Sequence, residues 1–319
     1  MTYSRILVTG ASGFAGSHLV PALQERFLDA DIIGVGGPSS ANGFDITNPE
    51  AVSDLVAQTR PDGIVHLAGM AAVARANAEP ETALAINYGG TINLLKAALS
   101  SAPSCVVLHV SSGEVYGENL AGGRPTSETT TSLPISAYAL SKAMAEHAVL
   151  EARAQGLHVA IARPFNHAGP GQNTSFVVPA FAAQIAEIEA GLREPVIHVG
   201  ALDAIRDFSD VRDIVQGYAT LLERAPSLAN GSIFNFASGI PRPIHHVLSS
   251  LTEIAHVSIK TVVDPERLRP QPVPTMVGDP RRAHVELGWC QRYDFNRMLR
   301  DVLQEWRHSV AQRQPVSVT

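Results

Sequence analysis

Residues 5–16 read Arg5-Ile6-Leu7-Val8-Thr9-Gly10-Ala11-Ser12-Gly13-Phe14-Ala15-Gly16. An apolar run of strand length passes directly into three glycines spaced G-x-x-G-x-x-G, and a helix-like stretch follows to about Phe27. Each glycine has a physical use: Gly10 allows a tight turn, Gly13 lets backbone approach a pyrophosphate, and Gly16 permits close packing of helix on strand. The helix N-terminus then presents unpaired N–H groups to an anion. The spacing is not the commoner G-x-G-x-x-G, and any tight strand-to-helix turn needs glycine. Position supplies the weight, because the turn follows the first strand of an alternating pattern. Gly10, Ser12, Gly13, Phe14 and Ala15 are therefore candidate dinucleotide-binding residues.

Working outward, strand and helix patterns alternate. A second strand, residues 30–37, is followed by a helix over 49–58 and the strand 63–69. A helix over 81–99 precedes the strand 105–112. Residues 117–137, rich in Gly, Thr, Ser and Pro, read as a loop. The helix 138–155 is stopped by Gly156, and the strand 158–164 follows. Apolar strands alternating with helices predict an α/β fold, a doubly wound parallel sheet of Rossmann type covered on both faces. Beyond Pro164 the pattern loosens. Helices are expected over 179–190, 211–225, 245–255 and 295–308, with strands over 195–200 and 232–238. This predicts a dinucleotide-binding domain over 1–165, with 207–238 returning to it. A smaller, partly interleaved C-terminal lobe over 166–319 would bind substrate. The tail from Ala311 should fray.

Composition narrows the class. The chain has 319 residues, 45% hydrophobic and 17% charged, with a net charge of -6. This excludes a wholly disordered chain and shows none of the basic footprint of a nucleic-acid binder. No apolar run reaches the roughly 18 residues that span a bilayer, and no secretory signal is evident. Two cysteines, Cys105 and Cys290, make no disulfide framework. The expected setting is the cytoplasm, with both thiols reduced and no membrane partner. The histidines show no spacing typical of a metal site.

Tyr138 and Lys142 stand four residues apart at a helix start, so both lie on one face. Lysine lowers a neighbouring phenol pKa and can hold a ribose; tyrosine can then give or take a proton at a carbonyl or hydroxyl. With six tyrosines and only three lysines (Lys96, Lys142, Lys260), a chance pair is rare. Ser111 and Ser112 end the fourth strand, at the carboxyl edge where open α/β sheets bind ligands. Asp45, with Ile46, follows the second strand; it suits an adenine amino group or, equally, a turn or helix cap. The end of that strand, Gly36-Gly37-Pro38-Ser39-Ser40, has neither the acid of many NAD sites nor the arginine of many NADP sites. Its hydroxyls suit a 2′-phosphate, which favours NADP slightly over NAD.

These motifs together resemble the extended short-chain dehydrogenase/reductase family: the glycine turn, Asp45, Leu67-Ala68-Gly69, Asn87, the run Ser111 to Gly117, and Tyr138 to Lys142. The resemblance runs from Ile6 to about Trp306. The segments 163–185, 204–218 and 267–280 are similar to the branch that reduces GDP-4-keto-6-deoxymannose, with the GDP-mannose 4,6-dehydratases close by. It implies a nicotinamide cofactor and a GDP-sugar substrate. Ser112, Tyr138 and Lys142 would be catalytic. Glu114 stands where dehydratases carry a catalytic glutamate; in a reductase it would position the sugar. Leu67, Ala68, Gly69, Asn87 and His167 would join the cofactor site. Asn166, Val178, Arg206 and Arg269 would bind the nucleotide sugar with Ser112 and Glu114. Pro272 replaces the aspartate common in the Arg-Pro segment, and the acidic residue of the dehydratase glycine turn is lacking.

The resemblance implies reduction of a C4 ketone to GDP-rhamnose or GDP-6-deoxytalose, in a homodimer packed through the helices 81–99 and 138–155. A nucleotide-sugar dehydratase or 4-epimerase is the first alternative, a non-catalytic NAD(P)-binding regulator the second.

Overall fold

The computed structural model describes residues 3–41, 43–268 and 273–313. The first half alternates as its patterning dictates: β1 (Arg5–Thr9), α1 (Phe14–Arg26), β2 (Asp31–Val35), α2 (Pro49–Thr59) and β3 (Gly63–His66). Then come α3 (Val73–Ala78), α4 (Pro80–Leu84), α5 (Gly90–Ser101), β4 (Val106–Val110), α6 (Ala137–Ala154) and β5 (His158–Pro164). The second half holds β6 (Asn166–Ala168), α7 (Val177–Glu189), β7 (Val196–Val199), β8 (Ile205–Asp210), α8 (Val211–Arg224) and β9 (Ser232–Phe236). It ends with β10 (Pro241–Pro243), α9 (Ile244–Glu253), β11 (Lys260–Val263), β12 (Thr275–Met276) and α10 (Phe295–Arg313).

The main sheet has six strands, all parallel, in the order β2-β1-β3-β4-β5-β9. Along β1 the side chains alternate between faces. Ile6 and Val8 join a core that includes Leu19 and Leu23 of α1 and Val215 and Tyr218 of α8. Leu7 joins a core that includes Val52 and Val56 of α2 and Leu94 and Leu95 of α5. Burial on both faces is what makes these strands read as continuous apolar runs. The chain winds outward from β1 to β2, then crosses back to β3, so the strand order reverses between β1 and β3. In open α/β sheets a ligand crevice opens outside the carboxyl ends of strands at such a point.

A four-stranded sheet carries the rest: β10-β8-β12, with β6 also paired to β8. β7 and β11 form a separate parallel pair. Val178 and Phe181 of α7, Val247 and Leu251 of α9, and Met298 and Val302 of α10 pack into a third core. The segment following Pro164 thus leaves the main sheet through β6 and β8 and returns through α8 and β9.

Several elements differ from expectation. The helix expected over 81–99 is α4, a π-helical turn over Ala85–Gly89, and α5. The turn rotates Asn87 inward, where it is fully bonded (below); single π turns often mark functional sites. The loop expected from 117 opens with 3-10 turns over Gly113–Gly122, kinked at Gly117 (φ 52°). A Cβ at Gly117 would lie 1.8 Å from the Leu133 carbonyl oxygen, so only glycine fits there. The final helix runs to Arg313 rather than to His308, so the tail begins helical; residues 314–319 lie outside the described residues. The strands β6, β8, β10, β11 and β12 were not legible, being three to six residues long or shorter and poor in alternating apolar residues.

A buried ion pair joins β5 to α6. Arg163 Nε and Nη2 donate to the two Glu146 oxygens at 2.8 and 2.5 Å, both side chains 6% exposed. The guanidinium also stacks 4.7 Å over the Tyr116 ring. Breaking such a pair on one side strands a buried charge. Arg163→Met should therefore cost about 3–5 kcal/mol in urea unfolding, and Arg163→Met/Glu146→Leu should recover most of it. A loss below about 1 kcal/mol for the single variant would show the pair to be solvent-relaxed.

Candidate active site

A cavity of about 660 Å³ opens at the carboxyl ends of β1, β3 and β4. The glycine turn forms one wall. Gly10 has φ +75°, and a Cβ there would meet the Ala68 nitrogen at 2.7 Å; a Cβ on Gly16 would meet the Gly10 oxygen at 2.2 Å. Gly13 stands at the N-cap of α1 and provides no side-chain cap, so the helix's first N–H groups remain for an anion. Gly10, Ser12, Gly13, Phe14 and Ala15 all line the cavity, as do Asp45, Ile46, Leu67, Ala68 and Gly69. Asp45 Oδ1 accepts from the Thr47 amide and hydroxyl at 2.9 and 2.7 Å, so this carboxylate makes a turn and also faces the cavity.

Gly36 directly follows β2, at the place where a ribose-binding acid often stands. A Cβ there would lie 2.4 Å from Ser12 Oγ and 2.2 Å from Ser40 Oγ. Two hydroxyls converge where a carboxylate has no room. The site therefore sets no fixed negative charge against a 2′-phosphate at this point.

At the opposite end stand Ser112, Glu114, Tyr138 and Lys142, all in the lining. Ser112 caps the turn after β4 by accepting from the Glu114 amide at 3.2 Å. Tyr138 and Lys142 lie in the first turns of α6, which Ser136 caps by accepting from the Ala139 amide at 3.1 Å. Burial raises the Tyr138 phenol to about 12; a hydrogen bond with Ser112 works against this and the Glu114 charge adds to it. Burial lowers Lys142 to about 8, with Glu146 one turn on opposing the shift. Lys142 Nζ donates to the Val110 carbonyl at 3.0 Å, which fixes the ammonium beneath the strand end. Glu114 is raised by burial and held back by the Arg206 charge. Acid, hydroxyl and cation thus converge where a carbonyl would gain charge.

Asn166 and His167 also line the cavity. The His167 ring stacks on Phe14 at 6.0 Å, and its Nδ1 lies 2.9 Å from the Phe165 carbonyl oxygen. Ser111 Oγ, Asn166 Oδ1 and Gln172 Oε1 are buried without a hydrogen-bond partner among the described residues. Buried polar atoms are nearly always paired, so a lining that leaves three unpaired fits a polar ligand.

Three expected residues lie outside the lining. Asn87 is buried behind the lining: its Oδ1 accepts from the Met70 amide at 2.7 Å and its Nδ2 donates to Ser141 Oγ at 2.9 Å. Val178 is packed in the core of the second lobe. Arg206 stands beside Glu114 on β8, its Nη1 donating to the Ile205 and Pro274 carbonyls at 2.8 and 3.4 Å. Arg269 lies outside the described residues.

The cavity also gathers residues that sequence reasoning passed over: Met70, Gln172, Asn173, Phe176, Tyr218 and Met276. Tyr218, on α8, acts electrostatically with Tyr138 although 80 positions separate them. No local pattern distinguishes it from an ordinary core tyrosine. Gln172 and Asn173 follow a Gly-Pro-Gly turn and had that much of a signal. Among the described residues no three His, Cys, Asp or Glu side chains are grouped to hold a metal.

A doubly wound sheet with a glycine turn at the switch point and a Ser, Tyr, Lys set at the neighbouring strand end defines an extended short-chain dehydrogenase/reductase. The chain belongs to the GDP-mannose 4,6-dehydratase family, whose sequence profile matches residues 7–302. It is 36% identical to the GDP-6-deoxy-D-mannose reductase of Pseudomonas aeruginosa over 96% of this chain and 98% of that one. It is 31% identical to the GDP-6-deoxy-D-talose 4-dehydrogenase of Aggregatibacter actinomycetemcomitans, over 91% and 93% of the two. The solved structure of RMD from Pseudomonas aeruginosa complexed with NADPH superposes with a TM-score of 0.85 at 34% identity, covering 96% and 98% of the chains.

The Lys142 shift is directly measurable, because the chain has only three lysines. In protein labelled with 13Cε-lysine, one resonance, absent from Lys142→Arg, should titrate near 8. Titration of that resonance above 10 would show that burial does not govern the charge.

Proposed function

We propose that the protein reduces the C4 ketone of a GDP-4-keto-6-deoxyhexose to GDP-6-deoxyhexose, giving GDP-rhamnose or GDP-6-deoxytalose, with NADPH preferred and NADH accepted. The observation that carries the reading is a neutral, buried Tyr138, hydrogen-bonded to Ser112 and one helical turn before Lys142, all three lining one cavity. It is supported by similarity over nearly the whole chain to a reductase and a 4-dehydrogenase named for GDP-6-deoxyhexoses. The cradle of Gly10 and Gly16 and the uncapped N-terminus of α1 fit a dinucleotide, and the hydroxyls at Gly36 favour NADP(H).

The bound dihydronicotinamide supplies the hydride. Ser112 orients the ketone oxygen by donating its hydroxyl hydrogen. Tyr138 gives its proton to that oxygen as negative charge develops there. Lys142 keeps its ammonium close to the phenolate that results and so lowers the cost of forming it. Glu114, balanced by Arg206, positions the sugar. Asp45, Ile46, Leu67, Ala68 and Gly69 hold the adenosine half, and His167 closes the nicotinamide end against Phe14. Asn87 acts through its neighbours by fixing Met70 and α6. Arg206 and Arg269 hold the diphosphate, with Asn166 on the nucleoside-sugar side; Val178, buried in the core of the second lobe, shapes that side only from behind. In this reading residues 1–165 and 207–238 serve the dinucleotide and the remainder of 166–319 serves the substrate.

The setting is a cytoplasmic homodimer. Cys105 is buried, Cys290 exposed, and neither forms a disulfide. Among the described residues no helix is long and apolar enough to cross a membrane. A groove of about 610 Å³ between α5 and α6, lined by Ile92, Leu95, Leu99, Met144 and Ala148, suits the same helices of a second copy.

The test is loss of reduced-nicotinamide absorbance with GDP-4-keto-6-deoxymannose. One equivalent of NADPH should be consumed per sugar, with the C4 epimer read by NMR. A 4-keto product formed from GDP-mannose without net coenzyme loss would instead establish a dehydratase. Tyr138→Phe should lower kcat at least about 100-fold while NADPH affinity holds; a pure regulator would be indifferent to it. Because Lys142 carries the charge that supports proton donation, kcat/KM should fall as pH rises through about 8. A flat profile to pH 10 would remove Lys142 from that role.

A further inference from the structure

Arg206 does not stand alone on its sheet. In the antiparallel pair of β8 and β10 its register partner is Arg242, and in the parallel pair of β8 and β12 its partner is Met276. Register partners project to the same face, so Met276, Arg206 and Arg242 form one row across three strands. Met276 lines the cavity. Neighbouring strands lie about 4.8 Å apart, so the row steps about 10 Å outward from the cavity wall.

Two arginines directly opposite each other on a strand pair repel. Burial lowers the pKa of both guanidinium groups, with Glu114 opposing the shift at Arg206 and Asp207 at Arg242. Asp207 belongs to the other face of β8. Its carboxylate already accepts from the Ser238 amide and hydroxyl and from the Gly239 and Gly278 amides, at 2.6 to 3.2 Å. The Arg242 guanidinium carbon sits 4.1 Å over the centre of the Phe295 ring, and its Nε is buried with no hydrogen-bond partner among the described residues. The two side chains lean to opposite sides of the row: Arg206 toward Pro274 beside β12, Arg242 toward Phe295 on α10. An anion lying between the two guanidinium groups would offset their mutual repulsion.

The geometry points to Arg242 as a further cation for the diphosphate of the nucleotide sugar, facing Arg206 across the β8–β10 pair. This rests on the nucleotide-sugar reading above. A hexose held between Tyr138 and Met276 extends its diphosphate along the row, where forked guanidinium groups match phosphate oxygens. The contact with Phe295 restrains the Arg242 head group, so less side-chain freedom is lost on binding.

Calorimetric titration of the full-length protein with GDP and with GMP tests this. Arg242→Gln should weaken GDP about tenfold or more and GMP far less, shrinking the preference for the diphosphate, while NADPH affinity is unchanged. Arg242→Lys, which keeps the charge, should recover part of the GDP affinity. An Arg242 that only covers Phe295 would lower the melting temperature without moving the GDP-to-GMP ratio, and an unchanged ratio in Arg242→Gln overturns the inference. Arg242→Met keeps an apolar stem on the ring, and carries the same test if the Gln variant folds poorly. The two readings fail differently. Wild-type protein that binds neither nucleotide removes the nucleotide-sugar reading and this inference with it. Wild-type binding retained in full by Arg242→Gln removes only this inference.

Discussion

The buried amide of Asn87 is the joint on which the site depends. It accepts from Met70 and donates to Ser141, and the main-chain carbonyl of Asn87 accepts from the Thr91 hydroxyl at 2.6 Å. Ser141 in turn donates to the Tyr138 carbonyl at 2.8 Å. Thr91 Oγ1 lies 3.0 Å from His66 Nε2, and His66 Nδ1 lies 2.7 Å from Thr9 Oγ1. One chain of hydrogen bonds therefore runs from the end of β1 through β3 and α5 to the first turn of α6. Since Thr91 spends its hydrogen on Asn87, it accepts from His66, which sets that ring as the Nε2–H tautomer. Burial keeps the ring neutral, lowering it to about 3. Each bond contributes only about 1 kcal/mol net, but an unmade partner at this depth costs about 1–3 kcal/mol. The lattice is thus held less by the strength of its bonds than by the expense of losing any one.

The same dryness tunes the chemistry. Desolvation penalises whichever form is charged, so one environment moves Tyr138 up and Lys142 down. The phenol becomes a reluctant acid and the ammonium a labile one, so burial drives the two groups apart and leaves only Lys142 titrating close to physiological pH. Glu146 links this tuning to architecture. It neutralises Arg163 in the core, and its charge reaches Lys142 on the same helix.

What the sequence disclosed follows from how local each signal is. The glycine turn, the Tyr and Lys pair and the serines at the end of β4 are encoded by spacing within one strand–turn–helix unit, and the structure gathers them around one cavity. The six-stranded sheet was legible because its strands are buried on both faces and hence apolar. The second sheet was not, because β8 carries Arg206, Asp207, Ser209 and Asp210 along its length, which hides a strand whose polar side chains have partners elsewhere in the fold. Asn87 was noticed as a motif residue, but its place behind the wall depends on a π turn that no periodicity announces. Tyr218, Met276 and Arg242 reach the site or its margin only through tertiary pairing.

The chain passes between the two sheets three times: from Pro164 to Asn166, from Asp210 to Val211, and from Phe236 to Pro241. Three separate crossings, two of them without slack, tie the wall that carries Asn166 and His167 to the sheet that carries Ser112 more closely than one linker would. The Gly169-Pro170-Gly171 corner adds two fasteners of its own: the Pro170 carbonyl lies 2.8 Å from His18 Nε2 on α1, and the Gly171 amide donates to Glu305 on α10.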